Sequence, residues 1–418
     1  MIGQWCYILL WRMSEQEHVV FLDFFGCVPS KEDLQNSLAK VGTAIQGARL
    51  LVALRHDVNT GLDLSALLPG SPTETVSHAA KIKSVLIAKA RLDDLQVKRL
   101  RIVTDPDCAQ WWKRVQEVCF TPCYSIDQIY TTVPKRTVKP DGDSVSSIGN
   151  QVRDFFRSLP AVGQIGFLRS PNIPAEVFVH GFSTRFGGLS SYPGMKSLNL
   201  TYTMKKPDPE ALIKENIRRL ADFAGFDGGN LHVAAATHGI QVWTVGEEKP
   251  AGYDAVISNM PGVVVAAPSA DCTLVLFADP VNKCCGAAHA GWRGTMTSEG
   301  IAMATVNAMK SKFGTNPKDV LVAIGPSIGT CCYEFGVEEA KQFEEFDPSC
   351  IVHKPDHPKP FVDVARTNKL QLQRGGVPAS NIDMSNTLCT KCHPDKFFSY
   401  RRDGTPFGNQ IGFIGIKL

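Results

Sequence analysis

The chain has 418 residues, 44% hydrophobic and 20% charged. At about 150 residues per domain that is room for two or three domains, and the apolar content rules out disorder over most of the length. Lys plus Arg number 44 against 41 Asp plus Glu, a net charge of +3, which excludes a nucleic-acid tract or a polybasic membrane patch and makes any basic site local. No apolar run approaches the roughly 18 residues of a membrane-spanning helix. Thirteen cysteines read as reduced thiols in a cytoplasmic setting, because a chain this long and apolar needs no disulfide framework.

The segment Trp5–Trp11 is apolar but short and lacks a basic flank, so it does not read as a signal peptide. Residues 1–12 are expected to be an upstream extension, with Met13 opening a more ordinary start. From there the patterns alternate. His18–Phe25 is a strand, Lys31–Ile45 a helix through Leu34, Leu38 and Val41, and Leu50–Leu54 a strand. Thr73–Leu92 reads as a helix, Leu100–Thr104 as a strand, and a helix follows through Trp111, Trp112 and Val115. Such alternation implies a small α/β domain over residues 13–133 with a largely parallel sheet. No glycine-rich phosphate loop follows any of its strands. The polar stretch Pro134–Ser147 reads as a linker, extending to about residue 150.

Beyond it, residues 151–418 form a larger mixed domain. Strands are expected at Val177–His180, Val263–Ala267, Thr273–Phe277, Val320–Ile324 and Ile411–Ile416. Helices are expected at Pro209–Ala224, Thr297–Lys312, Val337–Phe346 and Val362–Arg374. Three places here pair a metal-competent side chain with a strand end or a glycine turn: His238 in Thr-His-Gly, Cys272 in Ala-Asp-Cys, and His289 in His-Ala-Gly-Trp-Arg-Gly. Two imidazoles and a thiolate suit one zinc ion and leave a tetrahedral position open, the pattern of catalytic sites. Each residue alone is more often a core or satisfied polar group, and their wide separation gives no finger-like spacing. Asp271, beside Cys272, is either a proton carrier or a turn-capping carboxylate. Arg185, Arg293, Arg401 and Arg402 lie in glycine turns, where guanidinium forks and backbone amides can hold phosphate, although each alone could be an exposed loop residue. Cys389-x-x-Cys392-His393 has no second such motif and reads as structural thiols. Cys284-Cys285 and Cys331-Cys332 read as buried strand or turn pairs; adjacent residues on a strand point to opposite faces, so such a pair does not easily share one metal.

The motifs HGFSTRFGG, THG, ADC, HAGWRG, IGPSIGTCCYEFG and SYRRDG, in this order from about Val177 onward, resemble the laccase-domain family, also labelled multicopper polyphenol oxidoreductases. RSLPA, NIRRLA, MATVNAM, CHPDKFF and GNQIGFIGIK resemble its two-part vertebrate members. The resemblance implies an α/β (α+β) fold of sheets flanked by helices. It implies that His238, Cys272 and His289 are a zinc-binding catalytic trio, with Arg185, Arg293, Arg401 and Arg402 around the pocket. It also implies purine nucleoside phosphorolysis, with inorganic phosphate as co-substrate, and adenosine deamination. Bacterial members usually have Gln two residues before the first ligand His, where this chain has Ala236. Copper is not expected: among ten histidines no two are separated by one residue, as a multicopper centre requires. Three other readings use the same sequence: a hydrolase with Cys272 as nucleophile and His289 or His238 as base, a citrulline-cleaving enzyme, or an adaptor whose N-terminal domain docks a metabolic enzyme. The C-terminal Ile416-Lys417-Leu418 departs from the peroxisomal Ser-Lys-Leu signal at its first position.

Overall fold

The computed structural model describes residues 19–25, 27, 29–41, 48–55, 72–131 and 145–418. The extension, Met13, the Trp5–Trp11 segment, the end of the first helix beyond Val41 and residues 134–144 of the linker lie outside these. The chain divides into two compact units. One comprises the residues up to Pro160 with Ser190–Pro193 and Tyr202–Glu215; the other comprises Ala161–Leu189, Gly194–Thr201 and Asn216–Leu418. Among the described residues no helix is long and apolar enough to cross a membrane, and twelve cysteines are free thiols.

In the first unit the elements are β1 (Val19–Asp23), α1 (Lys31–Val41), β2 (Arg49–Arg55), β3 (Thr73–His78), α2 (Lys81–Asp94), β4 (Arg99–Thr104), α3 (Ala109–Cys119), β5 (Ser125–Tyr130) and α4 (Ile148–Ser158). The five strands are parallel, in the order β3-β2-β1-β4-β5. Helix α1 opens with a reciprocal cap: Asp33 N–H donates to Ser30 Oγ, and Ser30 N–H and Oγ donate to Asp33 Oδ2. The helix expected over Thr73–Leu92 is divided. Its β-branched start, Thr73, Thr75 and Val76, extends the sheet in register with Leu50–Arg55, and the helix begins only at Lys81. The strand β5 and the helix α4, which starts at Ile148, were not expected. One face of the sheet packs Val20, Leu22, Leu50 and Val52 against Leu34 and Leu38 of α1. At the end of β1 the buried Asp23 carboxylate meets Lys81 Nζ at 2.7 Å and accepts hydrogen bonds from Thr104 Oγ1 at 2.7 Å and Trp112 Nε1 at 2.9 Å.

In the second unit β6 (Phe167–Leu168) and β7 (Phe178–Ser183) lead to α5 (Glu210–Ala224), whose C-terminal part from Asn216 belongs here. Then come β8 (Leu231–Val233), β9 (Val242–Thr244), β10 (Ala255–Ser258), β11 (Val264–Ser269), β12 (Thr273–Asp279) and β13 (Cys284–Ala290), followed by α6 (Trp292–Thr295), α7 (Ile301–Phe313) and β14 (Leu321–Ile324). The chain ends with α8 (Val337–Phe346), β15 (Ile351–Val352), β16 (Phe361–Val362), α9 (Val364–Arg374), β17 (Ile382–Asp383), α10 (Tyr400–Asp403) and β18 (Gln410–Ile416). Two sheets, β17-β14-β12-β13-β10-β9 and β6-β7-β18-β11-β8, dominate. Strand alternation builds four layers. Leu274, Leu276, Cys285 and Ala287 face Phe178, Phe182, Val265 and Ile414 between the sheets. Val275, Phe277, Cys284 and Ala288 face Ile301, Val306, Met309 and Leu372 of α7 and α9. On the outer side of the other sheet, Val179, Val264 and Phe413 pack with Ile217 and Leu220 of α5. This is the mixed α/β architecture of helix-flanked sheets that the sequence implied.

Replacing Lys81 by Ala strands the Asp23 carboxylate in the first core. The expected loss is about 3–5 kcal/mol of unfolding free energy, read by chemical denaturation, and the paired change Asp23→Asn/Lys81→Met is expected to recover most of it.

Candidate functional site

Strands β12 and β13 are neighbours with Thr273 opposite Ala290 and Leu274 opposite His289. Cys272, just before β12, therefore arrives beside His289 near the end of β13. His238 comes from the loop between β8 and β9, with its backbone in the left-handed region at φ 64°. The ligand atoms of His238, Cys272 and His289 all lie within 4.8 Å of one another. His238 Nε2 is 3.7 Å from Cys272 Sγ, and the two imidazoles meet edge to face at 4.8 Å between centroids. His289 is buried, Cys272 partly buried and His238 exposed, so the trio opens outward.

One residue that the sequence did not single out organises this group. Asp254, fully buried just before β10, accepts His289 Nδ1–H at 2.8 Å through Oδ1. The same carboxylate accepts the N–H groups of Thr237, His238 and Gly239 at 3.1, 2.8 and 2.9 Å, and the Thr237 hydroxyl at 2.5 Å. The pairing of β10 with β13 sets this up, since His289 N–H also donates to Asp254 O at 2.7 Å. Burial alone would raise the Asp254 pKa. The hydrogen bonds from His289, Thr237, Gly239 and His238 outweigh it and hold the carboxyl down at about 2. Fixing Nδ1 in this way presents Nε2 of His289 to the cluster, the usual device for orienting a metal-binding imidazole.

The glycines of the His-Ala-Gly-Trp-Arg-Gly turn keep the space clear. A Cβ on Gly291 would lie 2.6 Å from His238 Cδ2, 3.3 Å from His289 Cε1 and 3.4 Å from Cys272 Sγ, and one on Gly294 would lie 2.4 Å from Gly239 O. Burial raises the Cys272 pKa, but the facing His289 and His238 overcome it and bring the thiol to about 6. Burial lowers that of His289, and the Cys272 thiolate and Asp254 overcome it and take the imidazole to about 9. Ligand type, convergence and the orienting carboxylate fit one zinc ion.

The remaining expected residues separate. The Asp271 carboxylate accepts Thr390 Oγ1 at 2.5 Å and Arg401 N–H at 2.7 Å, which ties the turn before β12 to the loop at Thr390 and to α10. Arg185 is buried and spends Nε and Nη1 on the carbonyls of Lys196 and Pro394. Arg402 bonds the carbonyls of Thr390 and Phe397 and pairs with Asp403. Arg293 and Arg401 are exposed; their guanidinium carbons lie 4.6 Å from the Trp292 ring and 5.4 Å from the Tyr333 ring. Tyr333 was not singled out by the sequence. Its phenol pKa is raised by burial and by the Cys272 thiolate, while Arg401 and Arg293 act the other way. A pocket of about 30 Å³ lies between Cys272, Trp292 and Tyr333, room for one water-sized group. A larger ligand would extend over the exposed side.

Two expectations about cysteines diverge. Cys284 and Cys285 do lie on a strand and enter opposite core faces. Cys331 and Cys332 lie in a turn, one of the two expected settings; strand alternation does not apply there, and their sulfurs gather with those of Cys389 and Cys392.

Residues 179–417 match the family model described as multi-copper polyphenol oxidoreductase laccase. A mouse protein named purine nucleoside phosphorylase LACC1 is 39% identical over 357 residues, 82% of each chain. A protein of an unknown prokaryotic organism named adenosine deaminase RL5 is 29% identical over 252 residues, 57% of this chain and 93% of its own. The crystal structure of YlmD from Geobacillus stearothermophilus superposes with a TM-score of 0.54 at 30% identity, covering 62% of this chain and all of that one. By the extent of the model match and by the mouse relative, the chain belongs to the multi-copper polyphenol oxidoreductase laccase family.

Proposed function

We propose that this chain is a purine nucleoside phosphorylase that also deaminates adenosine, with one zinc ion held by His238, Cys272 and His289. The observation that carries the reading is the convergence of this trio beside a pocket that Cys272 shares with Trp292 and Tyr333, the two rings on which the exposed Arg293 and Arg401 lie. The names of the mouse and prokaryotic relatives support the substrate class. When bound, the ion would supply Lewis acidity to the pocket.

The chain's own residues do the rest. Arg293 and Arg401 hold inorganic phosphate, each offering N–H donors to its oxygens. In phosphorolysis a phosphate oxygen bonds to the ribose anomeric carbon while the bond to the purine nitrogen breaks, and the base leaves with that electron pair and takes up a proton. Tyr333, which keeps its proton through the neutral range, is placed to donate a hydrogen bond to the substrate. In deamination, water oxygen adds at the carbon bearing the amino group and ammonia leaves. Asp254 holds His289 in one orientation throughout. Adenosine, inosine, guanosine and methylthioadenosine share the purine base bonded to a furanose anomeric carbon that this scheme needs, the last giving methylthioribose 1-phosphate.

Purified protein incubated with adenosine and inosine is expected to give free base and ribose 1-phosphate only when phosphate is added, and inosine from adenosine without it. Cys272→Ala is expected to lower both activities by about 100-fold or more, and Arg293→Ala to raise the KM for phosphate more than that for nucleoside. Wild-type turnover by Cys272→Ala would sink the reading.

The Cys272–His289 pair also suits a cysteine nucleophile. Activity that survives chelation, with a covalent adduct on Cys272, would favour that second reading. In metal-free protein the thiol pKa of about 6 means that alkylation of Cys272 by iodoacetamide rises as the pH passes upward through that value. His289→Ala removes the largest stabilising charge and is expected to move the rise toward the ordinary thiol range.

A further inference from the structure

Four cysteines outside the trio form a second cluster. The sulfurs of Cys331, Cys332, Cys389 and Cys392 all lie within 4.8 Å of one another. Cys392 Sγ is 3.3 Å from Cys332 Sγ and 3.5 Å from Cys331 Sγ. A disulfide would join two sulfurs at about 2.05 Å and leave the others aside. A tetrahedral zinc ion with bonds of about 2.3 Å spaces all four sulfurs about 3.8 Å apart. With all four sulfurs within 4.8 Å of one another, the gathering lies closer to the second form.

Backbone geometry builds the cluster from two turns. Cys332 and Tyr333 N–H both donate to Gly329 O at 2.9 Å, which curls the chain so that two adjacent cysteines serve one centre. His393 N–H donates to Cys389 O at 3.2 Å and closes the other turn. The turns are held together by a parallel bridge between Ser327 and Cys389, with Ser327 N–H on Leu388 O at 3.2 Å and Thr390 N–H on Ser327 O at 3.0 Å. His393 Nδ1 is engaged 2.9 Å from Cys389 O, so the donor set is four sulfurs.

We propose that Cys331, Cys332, Cys389 and Cys392 bind a second, structural zinc ion with a closed four-thiolate shell. It has no open position for substrate and so no catalytic step. Its effect reaches the candidate active site through the chain: Tyr333 follows Cys332 directly, and Thr390, between Cys389 and Cys392, gives its hydroxyl to Asp271 beside Cys272. The ion would hold one wall of the pocket in place.

The test uses the full chain, grown with zinc and purified without chelator. Metal analysis is expected to find about two zinc ions in wild type, about one in Cys272→Ala/His289→Ala and about one in Cys389→Ser/Cys392→Ser. X-ray absorption at the zinc edge of the Cys272→Ala/His289→Ala protein is expected to show four sulfur neighbours at about 2.3 Å. This arm decides the matter by itself if Cys389→Ser/Cys392→Ser does not fold. A metal-free Cys272→Ala/His289→Ala protein, a shell containing nitrogen or oxygen, or a disulfide from Cys392 found in the unreduced protein would overturn the proposal.

Discussion

The Asp254 carboxylate is the interaction on which the candidate site depends. It gathers the backbone of Thr237, His238 and Gly239 on one side and the His289 imidazole on the other. The three expected metal ligands come from three separate stretches of chain, and Asp254 touches two of them directly. A charge with no exposure persists at that position because five hydrogen-bond donors meet it. Left-handed backbone at His238 is unfavourable for a residue with a Cβ, and three N–H bonds to one carboxylate keep the loop there.

The layered framework explains why these parts meet. Cys272 and His289 flank one antiparallel ladder, so their separation is set by strand register rather than by loop conformation. Asp254 precedes the next strand of the same sheet. Core packing on both faces of that sheet fixes the register, because a one-residue slip would turn Leu274 and Val275 toward the wrong layers. His238 rides on the longer β8–β9 loop, and it is the exposed member of the trio. Cys272 and Asp254 are thus anchored at strand entries and His289 within a strand, while His238, Arg293 and Arg401 are exposed.

Much of this was legible in the sequence. The strand and helix patterns after the linker fall close to the observed elements, and Val337–Phe346 matches at both ends. The trio was legible because His, Cys and glycine turns sit at strand ends. Asp254 was not, because Gly-Tyr-Asp-Ala-Val reads as an ordinary strand entry and its partners are distant in sequence. The arginines carried no signal that separates the buried Arg185 and the self-paired Arg402 from the exposed Arg293 and Arg401; only the tertiary fold decides which guanidinium is already spent. Thr73–Leu92 was misread because a short edge strand runs into a helix, and periodicity blurs across the junction. For Cys331-Cys332 the expected turn setting holds, but the opposite-face argument fails there, because strand alternation does not govern a turn.

The most direct test of this account is zinc protection of Cys272 from alkylation, read on its own peptide in wild-type and Asp254→Asn protein. Without the anionic carboxylate, His289 and the His238 loop lose their common anchor. The account predicts that about 10–100-fold more zinc is needed for protection in the variant, with the fold retained. Protection at the same zinc concentration in both proteins would contradict it.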